Sequence, residues 1–161
     1  MAIDAFLKFE PEVKGESPVK GFENQLQLLS WSWGMSQTGT THDGKGGGGG
    51  KVNVQDLSIS KFVDQSSAPL ILALCTGKHY DKVTMTLRKA GGSPLAYLVV
   101  ELTEVIVTSA SMGGSGGEDR QTDSFTLNFA KFSYKYQPQK KDGSKDGGEI
   151  TATYDIAANA T

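Results

Sequence analysis

The sequence predicts a mainly β protein: an antiparallel β-barrel with one short flanking α-helix and glycine-rich loops. Three observations carry that prediction. Apolar residues recur at every second position in segment after segment, the spacing of a half-buried strand. One segment alone departs from this pattern toward a helix. The chain holds 20 glycines against 5 prolines, and the glycines are clustered, as in a few long loops joining regular elements.

The strands follow in order. Ile3, Ala5, Leu7 and Phe9 form one face of the first. Gln27, Leu29, Trp31 and Trp33 form one face of the second, with Leu26, Leu28, Ser30 and Ser32 on the other. Both tryptophans are expected in the core, where a large aromatic side chain contributes most. Ser30 and Ser32 then face away from it. Asn53, Gln55, Leu57 and Ile59 share a face of the third strand, and Val83, Met85 and Leu87 one of the next. Tyr97 to Thr108 is apolar on both faces and reads as a central strand. In Ser124 to Gln137 the apolar phase runs Phe125, Leu127, Phe129 and then shifts to Phe132, Tyr134, Tyr136, which predicts a β-bulge near Ala130 and Lys131. Ile150, Ala152, Tyr154 and Ile156 mark the last strand. The two longest strands, Leu95 to Ser109 and Ser124 to Gln137, are the expected exposed sheet edges.

The helix is predicted over Ser66 to Gly77. A serine is available as N-cap, Pro69 fits the first turn, and Gly77 can close the helix in the left-handed conformation. Apolar residues lie nearly all round it, so it is expected to be largely buried, with Cys75 as a small core hydrophobe. Three glycine loops separate the strands: Asp43 to Lys51, Gly113 to Gly117, and Lys141 to Gly148. No internal repeat or linker divides the chain, which reads as a single domain over residues 1–161.

Composition excludes several classes. The net charge is −2, with both signs spread along the chain, so no basic block invites nucleic acid. No apolar run approaches the roughly 18 residues of a membrane-spanning helix, and no membrane insertion is expected. Asp4 interrupts the N-terminal apolar stretch, unlike a Sec leader. A single cysteine allows no intrachain disulfide.

The chemical motifs lack their contexts. Gly39 to Lys45 satisfies G-x-x-x-x-G-K, but Gly46 stands where Ser or Thr must hold Mg²⁺, and no helix pattern follows. Gly113 to Gly117 satisfies G-x-S-x-G, but no helix follows Ser115, and only His42 and His79 could serve as base. Asp142 to Gly147 opens like an EF-hand loop, yet Thr153 stands where the bidentate Glu is required. It reads as a turn. No catalytic constellation, metal site or cofactor is expected.

Several stretches resemble the haemolysin-coregulated protein (Hcp) family of the type VI secretion system. They are Val13-Lys14-Gly15-Glu16-Ser17, Trp31 to Ser36, Gly46 to Lys61, Gly77-Lys78-His79-Tyr80, Leu87 to Gly92, Gly113 to Asp119 and Gln137 to Lys140. They occur in the family's order along nearly the whole chain. Where many members carry a tryptophan near the end of the last strand, this chain has Tyr154-Asp155-Ile156. The resemblance implies a non-enzymatic structural subunit: a barrel that closes into homo-hexameric rings stacked into an exported tube. It implies a spike protein, a contractile sheath and lumenal effector proteins as partners. It also implies synthesis in a bacterial cytoplasm without a cleaved signal, followed by secretion through the type VI system. Under this reading Ser30 and Ser32 face the lumen. The segment His42, Asp43, Gly44, Lys45, Gly46, Gly47, Gly48, Gly49, Gly50 and Lys51 joins one ring to the next, because its backbone can dock where side chains are nearly absent. The alternative is a monomeric barrel that binds a small ligand.

Overall fold

A computed structural model describes residues 3–39, 41–43, 48–89, 91 and 94–161. Its strands are β1 (Ile3–Glu10), β2 (Leu26–Gln27), β3 (Ser30–Ser32), β4 (Met35–Ser36), β5 (Asn53–Val54), β6 (Leu57–Phe62), β7 (His79–Lys89), β8 (Ala96–Gly113), β9 (Thr122–Tyr136) and β10 (Ile150–Asp155). The one α-helix, α1, spans Ser67–Thr76. Among the described residues no helix is long and apolar enough to cross a membrane.

The main sheet runs β2-β1-β7-β8-β9-β6-β3, with β10 also paired to β9, and all its pairings are antiparallel. Its two ends meet in sequence. The Leu28 N–H donates to Ala5 O at 2.9 Å, on the β1 side, and the next residue's N–H, of Leu29, donates to Ser60 O at 2.7 Å, on β6. The sheet is therefore curled into a barrel whose seam is a single stretch of chain. Period two survives the seam but its phase does not. Leu26 is fully buried and Leu29 is 51% exposed, so the predicted face Gln27, Leu29, Trp31 holds only from Trp31 onward. A strand that leaves one sheet edge for the other cannot keep one face inward throughout. The third predicted strand divides too: Leu57 and Ile59 are core, while Asn53 and Gln55 are exposed.

Leu7, Phe9, Val83, Met85, Val100, Leu102, Val105, Phe125 and Leu127 fill the interior. The N-terminal loop closes over one outer flank, where Phe22 stacks on buried Phe6 with ring centroids 4.4 Å apart. Gly15 is needed there because a Cβ would collide with the Gln25 carbonyl.

The two long strands correct the sequence in two ways. β9 is paired on both sides over most of its length and β8 on both sides as far as Ile106, so of the two expected edges only β8 from Val107 onward has a single partner strand among the described residues. Among the described residues β10 pairs with one strand, β9, apart from the bridge of Asp155 to Ala160, so Ile150–Tyr154 present an open edge. The phase shift at Ala130 is real, but no residue is gained there. Thr103 pairs with Lys131 and Val105 with Phe129, so Glu104, at φ 55°, takes the opposing half of the irregularity. Both strands turn their inward phase together. The extra residue of a bulge comes further on and on the other strand: Val107 pairs with Leu127 and Ser109 with Thr126, which leaves Thr108 unpaired.

Helix α1 packs on β8 through one stripe, Ser67, Leu70 and Ala73, and Gly77 closes it at φ 68°. It is not largely buried. Leu72 is 63% exposed and Cys75 is exposed, because the helix covers the barrel from outside and nothing among the described residues covers its far side.

Candidate functional site

The most ordered feature of the surface is a face of hydroxyls. Ser30 and Ser32 pair with Ser60 and Ser58; these pair with Ser124 and Thr126, which in turn pair with Ser111 and Ser109. Residues directly opposite in antiparallel strands point to the same side. The result is two rows of four hydroxyls running across β3, β6, β9 and β8: Ser32, Ser58, Thr126, Ser109 and Ser30, Ser60, Ser124, Ser111. All eight are exposed or half-buried. The intervening residues Trp31, Ile59, Phe125 and Ala110 point the other way and pack in or against the core. Some hydroxyls satisfy one another, with Ser109 Oγ 2.6 Å and Thr108 Oγ1 2.7 Å from Thr126 Oγ1. Sequence reading found Ser30 and Ser32 and missed the other six. Each pair sits in a hydroxyl–apolar–hydroxyl triplet (SWS, SIS, SFT, SAS), which is the signal that could have found them.

Beyond Glu104 and Ala130 the same outer side changes character. Glu101 on β8 meets Lys135 on β9 at 3.1 Å and Lys82 on β7 at 3.5 Å. Burial pushes the Glu101 carboxyl up, but the Lys135 hydrogen bond and the charges of Lys135 and Lys82 outweigh it and hold the group below the ordinary glutamate value.

A two-stranded hairpin projects from the end of the hydroxyl strand β3. Met35 pairs with Val54 and Ser36 with Asn53, Gly39 bridges Gly49, and the Gly50 N–H donates to Thr38 O at 3.2 Å. A short 3-10 turn holds Thr41–Asp43. Of the predicted joining segment, Gly44, Lys45, Gly46 and Gly47 lie outside the described residues; His42, Gly48, Gly49, Gly50 and Lys51 are exposed or lie in the hairpin limbs.

Behind the hydroxyl rows lies a second group that the sequence reading missed. Lys61 continues the inward phase of Leu57 and Ile59 and is fully buried. Its Nζ meets Asp123 at 3.0 Å and Asp64 at 3.2 Å, and donates to Ser67 Oγ at 2.9 Å. Ser67 in turn donates to Asp123 Oδ2 at 2.6 Å. Ser66, at the N-cap position, makes no capping bond; its hydroxyl goes to Asp64 instead. The cluster ties β6, β9 and the start of α1 together. Lys61, Ser67 and Asp123 are buried, and Asp64 is the member that borders the surface.

The remaining motifs keep their plain readings. Ser115 sits in an exposed turn that leads into β9, not into a helix. Asp142 Oδ1 accepts from Ser144 N–H at 2.9 Å and Ser144 Oγ at 2.6 Å, a local turn. Among the described residues no three His, Cys, Asp or Glu converge as a metal set.

This architecture matches the folds of solved type VI secretion system proteins. The chain matches, with a TM-score of 0.91 and 25% identity, a solved type six secretion system protein over 98% of each chain. It matches Hcp1 of Salmonella typhimurium with a TM-score of 0.81 and 35% identity over 99% of each. It is 52% identical to protein hcp1 of Pseudomonas aeruginosa over 160 residues, 99% of this chain and 98% of that one. Residues 6–136 match the family model described as type VI secretion system effector, Hcp. The chain belongs to the Hcp family of secreted type VI secretion system proteins.

Proposed function

We propose that this chain is a tube subunit of the type VI secretion system: it closes into hexameric rings, the rings stack, and the hydroxyl face lines a lumen that carries effector proteins. The two rows of four hydroxyls are the observation that carries this reading. A surface meant for bulk solvent has no need to exclude charge from eight consecutive grid positions, since exposed strand faces ordinarily mix in Lys and Glu. A wall along which folded cargo must both rest and slide is served by short side chains that donate and accept hydrogen bonds without fixing a partner. Ring closure would use the free edge of β10 and the apolar residues beside it, Ile150, Tyr134 and Tyr136, which are 64%, 37% and 42% exposed. The hairpin with His42, Asp43, Gly44, Lys45, Gly46, Gly47, Gly48, Gly49, Gly50 and Lys51 would reach the next ring. Spike and sheath would engage the assembled tube, which a bacterial cell would then export.

Light scattering tests the ring: a hexamer mass is expected at micromolar concentration, and a persistent monomer overturns the proposal. Ser32→Glu should leave that mass unchanged and weaken retention of a co-expressed effector; loss of folding would show that Ser32 points inward. Deleting Gly46 to Gly50 should spare rings and abolish secretion, whereas unchanged secretion would reduce the segment to a spacer.

A further inference from the structure

We infer that Asp56 is the positioning residue that sets the direction in which the hairpin leaves the barrel. The hairpin limbs join the body at two points, Trp33-Gly34 on one side and Gln55-Asp56 on the other. Trp33 packs edge-on against Phe129 and Phe132, and its Nε1–H donates to Gln55 O at 2.9 Å. The Gln55 N–H returns a bond to Gly34 O, also at 2.9 Å. These contacts hold the two limbs to each other. Val54 also packs against the core, and these apolar contacts seat the base without directional bonds that would set its angle.

Asp56 supplies such bonds. Its Oδ1 accepts from Asn128 Nδ2 at 2.8 Å, on β9, and its Oδ2 accepts from Thr108 Oγ1 at 2.6 Å, on β8. One carboxylate thus spans two strands of the barrel wall, and both bonds carry its charge, which strengthens them. The second bond depends on a separate feature of the sheet. Thr108 is the residue the bulge leaves unpaired, so its hydroxyl is free of the ladder's alternation and can reach across to Asp56. Bulges re-aim side chains in this way, and among the described residues the Asp56–Thr108 bond is the one that ties the hairpin base to β8. The apolar seat at Trp33 and Val54 fixes where the hairpin base sits, and the two directional bonds of Asp56 fix the angle at which it leaves.

Any consequence for assembly rests on the stacking role proposed above; the geometric claim does not. Both are read in one experiment. In a Cys75→Ser background, spin labels are placed through Gln37→Cys on the hairpin and Asp81→Cys on β7, and labelled chain is diluted into excess unlabelled chain. Pulsed dipolar spectroscopy should give one narrow distance. Asp56→Ala should broaden it, Thr108→Val should broaden it less, and Asp56→Asn, which still offers an acceptor to Asn128 and a donor to Thr108, should restore most of the sharpness. A distribution in Asp56→Ala as narrow as in the parent overturns the proposal. If Asp56→Ala prevents folding, as circular dichroism would reveal, Thr108→Val decides alone, and an unbroadened distance there overturns it equally. Secretion is measured on the same variants. A broadened hairpin with undiminished secretion upholds the role of Asp56 and removes the stacking role; a broadened hairpin with secretion reduced tenfold or more upholds both.

Discussion

Two ion clusters lie in this sheet and differ in almost everything except composition. At Glu101, one carboxylate serves two lysines on the outer side; the Lys82, Glu101 and Lys135 side chains are 42%, 27% and 29% exposed. At Lys61, one ammonium serves two carboxylates inside the barrel, with Lys61 and Asp123 side chains 0% and 2% exposed. The outer cluster exchanges water for lysines at little gain or loss. The inner one has surrendered its water and depends wholly on its partners, so its geometry is enforced by what failure would cost. It also stands where three elements must meet, at the ends of β6 and β9 and the start of α1. A charge network there specifies which elements meet, more than apolar contact would.

Removing the buried cation should have the largest effect. Lys61→Ala leaves Asp64 and Asp123 facing each other without compensation, and a loss of about 3–5 kcal/mol is expected from denaturant midpoints. A loss under about 1 kcal/mol would show that water reaches the cluster. Ser67→Ala comes next. It removes the hydroxyl that accepts from Lys61 and donates to Asp123, and about 1–3 kcal/mol should be lost. The smallest effect is expected outside. Glu101→Gln should cost about 0.2–1 kcal/mol, and less at high salt. Its sign with pH is fixed. Because the folded carboxyl titrates below its unfolded value, its contribution is present above about pH 4.3 and is lost as pH falls through the lowered folded value. Urea midpoints of parent and variant should therefore converge as the solution is acidified below the ordinary glutamate range; a gap that stays constant would assign the effect to packing.

The same contrast marks what could be read in advance. Period-two patterning located the long strands and the core residues on them, because burial of one face dictates it. The helix was placed correctly and misjudged in depth: Leu72 and Cys75 lie on a side that the described residues leave uncovered, and an apolar residue type alone does not say which side of a helix is buried. Lys61 was legible in phase, two positions beyond Ile59, but a lysine at an inward position reads as a strand end until Asp123, far away in sequence, is known to lie beside it. That Ser30 and Ser32 face away from the core was legible from one strand; the other six hydroxyls joined them in one face only once pairing lined up four triplets. The bulge was expected where the apolar phase of β9 shifts. Phase alone could not reveal that Glu104 shifts with it and that the extra residue is Thr108.

The seam at Leu28 and Leu29 carries a further implication. Two adjacent peptide N–H groups are committed to opposite margins of the sheet, so the chain has no spare residue between them. Inserting one residue there would turn β3 over: Trp31 would be thrust out of the wall and Ser30 and Ser32 driven into hydrocarbon. The reading frame of the hydroxyl face and the closure of the barrel are one and the same constraint, so a change in chain length that an exposed turn could absorb would break this joint.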